Sequence, residues 1–567
     1  MDMLHRVKTL IAGLGLGILA LSASGRLFDA DAMPPHPDLA LRSPQMAEAV
    51  DYYNDLRASF PQRGIDQPGG GRAAGANLAG IFNMLAVCID FSDDTSSTAA
   101  ADFDTLIFFQ QPGSVWDYYH QISYGTLSME TLVLPSAIGW KRAPGTYASY
   151  VGANYGMGSY PNNSQKMVED IVDSLDPYVN FADYDNDGDG FVDGLVIVHA
   201  GTGAEWSGST SDMWSHKWGI MPRLRDGVYI SSYSVQPEFW FAPGDITIGV
   251  YVHEIGHVLG LPDLYDTDNS SRGVARWSVM GSGSWNGSMG NTPAGPDAWS
   301  RVQLGFVVPT VITSSVVGAT VPRVEDSAKI YRVWPTAPPG SEYFLVENRQ
   351  LTGYDAYLPA AGILIWHIDE AQANETHEWY PGHTASGHYL VALEQADGLW
   401  ELEQNINNGN AGDPFPGTND RRTFSDASTP SSKAYAGTAT YVTVTNISNS
   451  AAVMTCDFQT SLGTDVLEGE DGGAAVPSLY LVNSPNPFNP ATEINYGLER
   501  GGRVDIDLFD ILGRHVRTLV GETQLAGSHE IIWDGTDQAG DPVSTGVYFA
   551  RLSSSGQSNV RKMVLVR

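Results

Sequence analysis

Residues 253–266 read HEIGHVLGLPDLYD, and no other stretch restricts this chain as strongly. On a helix, residues four apart share a face, so His253 and His257 offer two imidazole nitrogens to one cation. Glu254 lies about 100° around the same helix, beside the open coordination position, where a carboxylate can serve as general base. Gly260 permits the left-handed conformation that ends a helix and turns the chain. Three residues on, Asp263 can swing back and complete a zinc (Zn2+) site of two nitrogens and one carboxylate. No glutamate occurs between Ile255 and Val324, so a Glu from a following helix has no nearby candidate. Asp266 and Asp268 compete with Asp263 for the third position. A carboxylate ligand leaves the site less positive than a third histidine would, which makes water less acidic and Glu254 more important. Val252, Ile255, Val258 and Leu259 supply an apolar face for burial. The bland alternative is an ordinary helix with polar residues.

A second constellation is DYDNDGDGFVD, residues 183–193. Asp183, Asp185 and Asp187 alternate as in calcium loops, and Gly188 falls at the sixth position, where a sharp turn is needed. The twelfth position is Gly194 rather than Glu, so the loop is not a full EF-hand. Asp193 at position eleven can replace it, with Asp189 giving a further oxygen. Packing these carboxylates without a cation is costly, which favours structural calcium (Ca2+) over a solvated acidic turn. DGLWELEQ (397–404) and GDPFPG (412–417) read as turns, with a further ion site as the alternative.

A chain of 567 residues exceeds one core and predicts several domains. Its formal charge of −34 disfavours nucleic acid and anionic membranes as partners. At the start, Arg6 and Lys8 precede an apolar run from Leu10 to Leu21, followed by small residues. That is the layout of a signal peptide over residues 1–32, cleaved after Gly25 or Ala32; the run is too short to span a bilayer comfortably. Residues 33–80 read as a pro-segment with a Gly-rich tail. Residues 81–310 mix strands (MLAVCIDFS, LVIVHA) with helical patterns, including 164–175 with Ser164 as its cap. From 311 to 460 short alternating runs recur between turns, as in a β-sandwich. Residues 461–477 are an acidic, Gly-rich linker. Residues 478–567 give a further set of strands, a small Ig-like sandwich. The expected fold class is thus multidomain α+β. Cys88 and Cys456 lie in different expected domains, each in an apolar stretch, and read as buried thiols rather than a disulfide. His199, His216 and His367 read as structural histidines.

Downstream, RWSVMGSGSW places Met280 in a Gly/Ser-rich turn. HEIGHVLGLPD resembles the extended zinc signature HExxHxxGxx(H/D) of metzincin-like peptidases, and SVMGSG looks like their Met-turn. Together with LAVCIDFSD, DYDNDGDGFVDG, VIVHAGTGAE and MWSHKW, the run is similar to secreted metallopeptidases of the immune inhibitor A family. The likeness covers about 80–460. It implies a metzincin-like α/β catalytic domain, His253, His257 and Asp263 on zinc, Glu254 as base, and Met280 beneath the site; Met280 alone would read as core packing. Tyr265 can donate to an oxyanion or simply pack. NSPNPFNPATEINYGL, LFDILGRHVRTL and WDGTDQAGDPVSTGVYFARL resemble FlgD-type Ig-like and type IX secretion sorting domains, which implies export and outer-surface attachment.

The leading expectation is a secreted zinc endopeptidase made as a zymogen, with protein or peptide substrates and secretion machinery as partners, and without a stable transmembrane segment. Its rival is a calcium-stiffened surface adhesion protein with a vestigial metal site. The intact Glu254 favours the enzyme. A zinc amidase acting on peptidoglycan fits the site chemistry but not the neighbouring motifs.

Overall fold

The computed structural model describes residues 33–34, 78–268, 270–334, 341–372, 376–383, 387–460, 480–484, 486, 488–498, 501–511, 513–525, 527–554 and 557–566. The signal peptide, most of the pro-segment and the linker expected from sequence lie outside the described residues. The described residues divide into two compact units, one reaching Phe458 and the other from Gln459 onward.

The first unit begins with β1 (Gly80–Asn83) and β2 (Leu85–Asp90), then β3 (Leu127–Glu130), β4 (Lys141–Arg142), β5 (Leu195–Thr202), β6 (His216–Arg225) and β7 (Val228–Phe239). Five of these form one sheet in the order β4-β2-β5-β7-β6, parallel except for the antiparallel edge strand β6. β2 and most of β5 are buried residue by residue, as continuous apolar runs such as LAVCID predict for a sheet covered on both faces. Helix α1 (Val115–Ile122) is capped by Ser114, whose side chain accepts from the Asp117 N–H. Helix α2 (Ser164–Leu175) packs Met167, Val168, Ile171, Val172 and Leu175 into the sheet's core. Its cap is Asn163, which accepts from the Lys166 N–H; Ser164, expected in that role, is the first helical residue and its hydroxyl meets His216 Nε2 at 2.9 Å.

Helix α3 (Ile248–Val258) carries the histidines, and every one of its residues is buried. A helix sunk this far must satisfy its polar groups internally. Two tyrosines help anchor it: Tyr119 of α1 donates to the Val252 carbonyl at 2.7 Å, and Tyr251 donates to the Pro237 carbonyl at 3.0 Å. Helix α4 (Ala298–Gln303) follows, capped by Asp297.

The β-rich remainder of this unit comprises β8 (Thr310–Ile312), β9 (Val316–Pro322), β10 (Tyr331–Val333), β11 (Glu342–Arg349), β12 (Gly362–Asp369), β13 (Val391–Leu393), β14 (Thr443–Thr445) and β15 (Val453–Gln459). They build sheets ordered β13-β12-β11-β10-β8 and β14-β15-β9. Short strands separated by turns thus recur through this stretch, as its alternating pattern predicts. Arg349 of β11, paired with Asp355 through its Nε at 2.7 Å, also ties this part to the preceding one, its Nη2 donating to the Gly295 carbonyl at 3.2 Å. Cys88 and Cys456 are both buried and unpaired.

The second unit contains β16 (Tyr480–Ser484), β17 (Thr492–Leu498), β18 (Gly502–Asp510), β19 (His515–Gln524), β20 (Gly527–Trp533), β21 (Gly546–Ser554) and β22 (Gln557–Leu565). Two antiparallel sheets, β16-β17-β20 and β19-β18-β21-β22, enclose Ile494, Tyr496, Ile506, Leu508, Trp533 and Leu552. Among the described residues, no helix is long and apolar enough to cross a membrane.

Candidate metal centre

The geometry is assembled from one helix, its exit and a turn beneath it. Gly260 has φ +97°, the left-handed conformation its position required, and its N–H returns to the His257 carbonyl at 3.0 Å. The chain then folds back, and Asp263 Oδ1 lies 3.2 Å from His253 Nε2 and 3.4 Å from His257 Nε2. The two Nε2 atoms are 3.2 Å apart. His253, His257 and Asp263 are all buried, and the structure brings their ligating atoms within 4.8 Å of one another.

Both rings are oriented from behind. His253 Nδ1 faces the Val279 carbonyl and His257 Nδ1 the Leu261 carbonyl, each at 2.8 Å. A carbonyl only accepts, so each Nδ1 carries the hydrogen and each Nε2 turns its lone pair inward. Two imidazole lone pairs and a carboxylate oxygen crowd a buried volume with no donor among the three. That is an unfavourable set for a protein interior and a fitting one for a divalent metal.

The competitors for Asp263 are engaged elsewhere. Asp266 accepts from the Ser271 N–H at 2.7 Å and its hydroxyl at 2.6 Å, and Asp268 accepts from Ser270 N–H at 3.0 Å. Glu254 is fully buried on the same helix. Tyr265 is buried, its ring centroid 6.4 Å from that of His253. Met280 lies under the helix at Gly256, where a β-carbon would stand 2.6 Å from the thioether sulfur. Met280 also accepts a hydrogen bond through its carbonyl from the Leu264 N–H, 2.9 Å away, next to Asp263.

Sequence reasoning missed the carbonyls of Val279 and Leu261, because a backbone acceptor leaves no mark on residue type. It also missed Gly256. A glycine inside HExxH was available as a signal of close approach, and the sulfur against it supplies the reason.

The three histidines read as structural behave so. His199 and His216 are buried, their Nδ1 atoms bonded to the Ala200 and Trp214 carbonyls, and burial pushes both down to about 4. His367 sits between Glu342 and Glu394, 2.9 and 3.0 Å away, and those carboxylates outweigh burial to hold it above its ordinary value.

In the acidic loop, carboxyl oxygens of Asp185, Asp187 and Asp193 gather within 4.8 Å; Asp183 and Asp189 are not in that group. Asp185 instead organises the turn, accepting from Gly188, Asp189 and Gly190 N–H groups. Gly188 has φ +77°. Asp193 Oδ1 is buried without a hydrogen-bond partner among the described residues, and burial, with Asp187 and Asp189 close by, pushes this carboxyl up to about 6.

The metal centre lies within a stretch that matches a known family. Residues 104–305 match the family described as immune inhibitor A peptidase M6, catalytic domain, and residues 493–558 match the FlgD Ig-like domain. The pre-pro-metalloprotease PrtV of Vibrio cholerae serotype O1 is 33% identical over 222 residues, covering 33% of this chain and 23% of its own. Immune inhibitor A of Bacillus thuringiensis subsp. alesti is 34% identical over 206 residues, 31% of this chain and 29% of its own. The chain thus spans 23–29% of the length of these relatives. FlgD from P. aeruginosa is 25% identical over 13% of this chain and 58% of that one, with a TM-score of 0.11, too low to carry a structural argument. Residues 104–305 are therefore similar to the catalytic domain of the immune inhibitor A peptidase M6 family, and residues 493–558 to a FlgD Ig-like domain.

Proposed function

We propose that the protein is an exported zinc endopeptidase with a metzincin-like catalytic domain over 81–310, a β-sandwich over 311–460 and an Ig-like sorting or attachment domain over 478–567. The observation that carries this reading is the convergence of His253, His257 and Asp263 beside Glu254 in a domain that matches a metallopeptidase family. Zinc held by the two Nε2 atoms and the Asp263 carboxylate would supply Lewis acidity, acidifying water and polarising the scissile carbonyl. The Glu254 carboxylate takes the proton from the attacking water and passes it to the leaving amine nitrogen. The Val279 and Leu261 carbonyls fix both imidazole tautomers, and Met280 supports the helix from below. Tyr265 is assigned packing beside His253, with oxyanion donation as the further role to test.

Calcium at Asp185, Asp187 and Asp193 would pin the loop that leads into β5, consistent with the unpartnered Asp193 oxygen. A zymogen is supported by the seat of the expected pro-segment's first residues. Met33 and Pro34 are buried, and their carbonyls accept from the indole N–H groups of Trp214 and Trp285 at 2.8 and 2.9 Å. Protein substrates, secretion and surface attachment belong to the same proposal.

The test is casein hydrolysis by purified protein. Glu254→Gln is expected to retain zinc and lose about 10³-fold in kcat/KM, the scale of a positioned general base. Equal activity of this variant would remove the mechanism, and a metal-replete but inactive wild type would favour the surface-adhesion reading.

A further inference from the structure

The segment that carries Asp263 is held at two places beyond that residue. At Leu264 the N–H donates to the Met280 carbonyl at 2.9 Å, and the carbonyl accepts from the Val274 N–H at 2.8 Å. Gly273 permits this approach: it has φ +54°, and a β-carbon there would collide with the Leu264 carbonyl oxygen. The second hold is Asp266. Its carboxylate accepts from the Asp268 N–H and the Ser270 hydroxyl, each at 2.9 Å, and from the Ser271 N–H and hydroxyl at 2.7 and 2.6 Å. All of these groups belong to the part that precedes the β-rich sheets. Tyr389 does not. It stands two residues before β13, and its phenolic O–H donates to the Ser271 hydroxyl oxygen.

The direction of this relay follows from its chemistry. An ionised Asp266 only accepts, so the single Ser271 O–H points to it, and the Ser271 oxygen is left to accept from Tyr389. Each bond polarises the next. Tyr389, Ser271 and Asp266 are 1, 4 and 2% exposed, so bulk water offers little substitute for a missing donor. The β-rich part reaches the same turn at two further points. Ser270 Oγ lies 3.0 Å from Glu378 Oε2, and the Arg272 N–H donates at 3.0 Å to the carbonyl of Leu402, within the DGLWELEQ turn. Glu378, Tyr389 and Leu402 all lie outside residues 104–305, the stretch that matches the peptidase family.

We propose that Tyr389 is a positioning residue of the metal centre: through Ser271 and Asp266 it holds the segment that presents Asp263, so the β-rich part completes the site. The inference rests on the zinc reading above. Tyr389 touches neither the metal ligands nor the reacting atoms; it acts on how long the ion stays. His253 and His257 are fixed by a buried helix and by the carbonyls behind their rings, whereas Asp263 depends on an irregular segment. Loosening that segment frees the carboxylate from the ion while both imidazoles remain in place. Groups that orient a metal ligand from behind are worth about 10- to 100-fold in affinity, and a relay two residues long belongs at the lower end.

The experiment times zinc release from the full-length, zinc-loaded protein into an excess of a chromogenic chelator. Tyr389→Phe keeps the ring and removes the donor; it is expected to release zinc about tenfold faster than wild type. Tyr354→Phe is the control, because it also removes a phenolic bond between the β-rich part and the preceding one, the 2.6 Å contact with Asp117. It is expected to lower Tm and leave zinc release unchanged. Ser271→Ala should match Tyr389→Phe, and the double variant should be no faster than either single one, since the relay is already broken. Ser271→Ala carries the same comparison if Tyr389→Phe does not fold. Wild type that holds zinc while Tyr389→Phe and Ser271→Ala release it no faster than Tyr354→Phe overturns the inference alone. So do additive accelerations in the double variant. Wild type that binds no zinc overturns the metal reading itself, and the inference with it.

Discussion

At the scale of single residues, the centre depends on side chains and on two absent ones. Gly260 holds φ +97°, where any β-carbon is strained, and Gly256 faces Met280 sulfur at a distance no β-carbon tolerates. Gly260→Ala is expected to cost about 1 kcal/mol or more in stability and to lower zinc affinity, because the strained exit carries Asp263. Gly256→Ala is expected to displace the thioether and to be partly rescued by Met280→Ala, which removes the obstruction; urea unfolding of the single and double variants measures this. Additive losses would mean that the two residues do not meet. The spacing of His253, Glu254 and His257, and the turn at Gly260, were legible because they are local: helical periodicity and one residue's freedom determine them. The turn at Gly260 and the family resemblance already put Asp263 ahead of Asp266 and Asp268; the contacts add the reason, since serines 270 and 271 occupy the rivals.

At the scale of elements, apolar runs and turn residues located the strands because a period of two, or an unbroken hydrophobic run, is written directly in residue type. The cap of α2 was misread by one position. Asn163 and Ser164 are both good caps, and the choice was made by His216, fifty-two positions away, which takes the Ser164 hydroxyl. Buried histidines on β5 and β6 also make the sheet sensitive to acid. His199 and His216 stay neutral in the fold down to about 4, whereas in the unfolded chain they bind protons below about 6.5. Stability from these groups is therefore complete above pH 6.5 and lost as pH falls toward 4, on the order of 3 kcal/mol for each. Glu205, pushed up to about 7 by burial, has the opposite slope, so the diagnostic is a difference between proteins. His199→Gln should lose less stability than wild type between pH 7 and 4.5 in urea titrations. An identical pH dependence would show that His199 does not titrate as its burial requires.

At the scale of the molecule, the sequence divided 81–310 from 311–460 by pattern, whereas contacts gather both into one unit ending at Phe458. Pattern registers secondary structure, not the buried hydrogen bonds that Arg349 and Asp355 make with Gly295 and that stitch the two parts together. The Ig-like unit is separate in contacts and holds its own core. Removal of 461–567 is accordingly expected to leave casein hydrolysis within about twofold and to delete one thermal transition from two. A truncated chain that folds yet loses activity would place the C-terminal unit in the catalytic machinery. The claim on which the rest depends concerns the metal, and zinc K-edge X-ray absorption of the active protein reads it directly. The account predicts one zinc per chain in a first shell of nitrogen and oxygen at about 2.0–2.1 Å, with two imidazoles, changed by Asp263→Ala. Active protein without zinc, or a shell that Asp263→Ala leaves untouched, would contradict it.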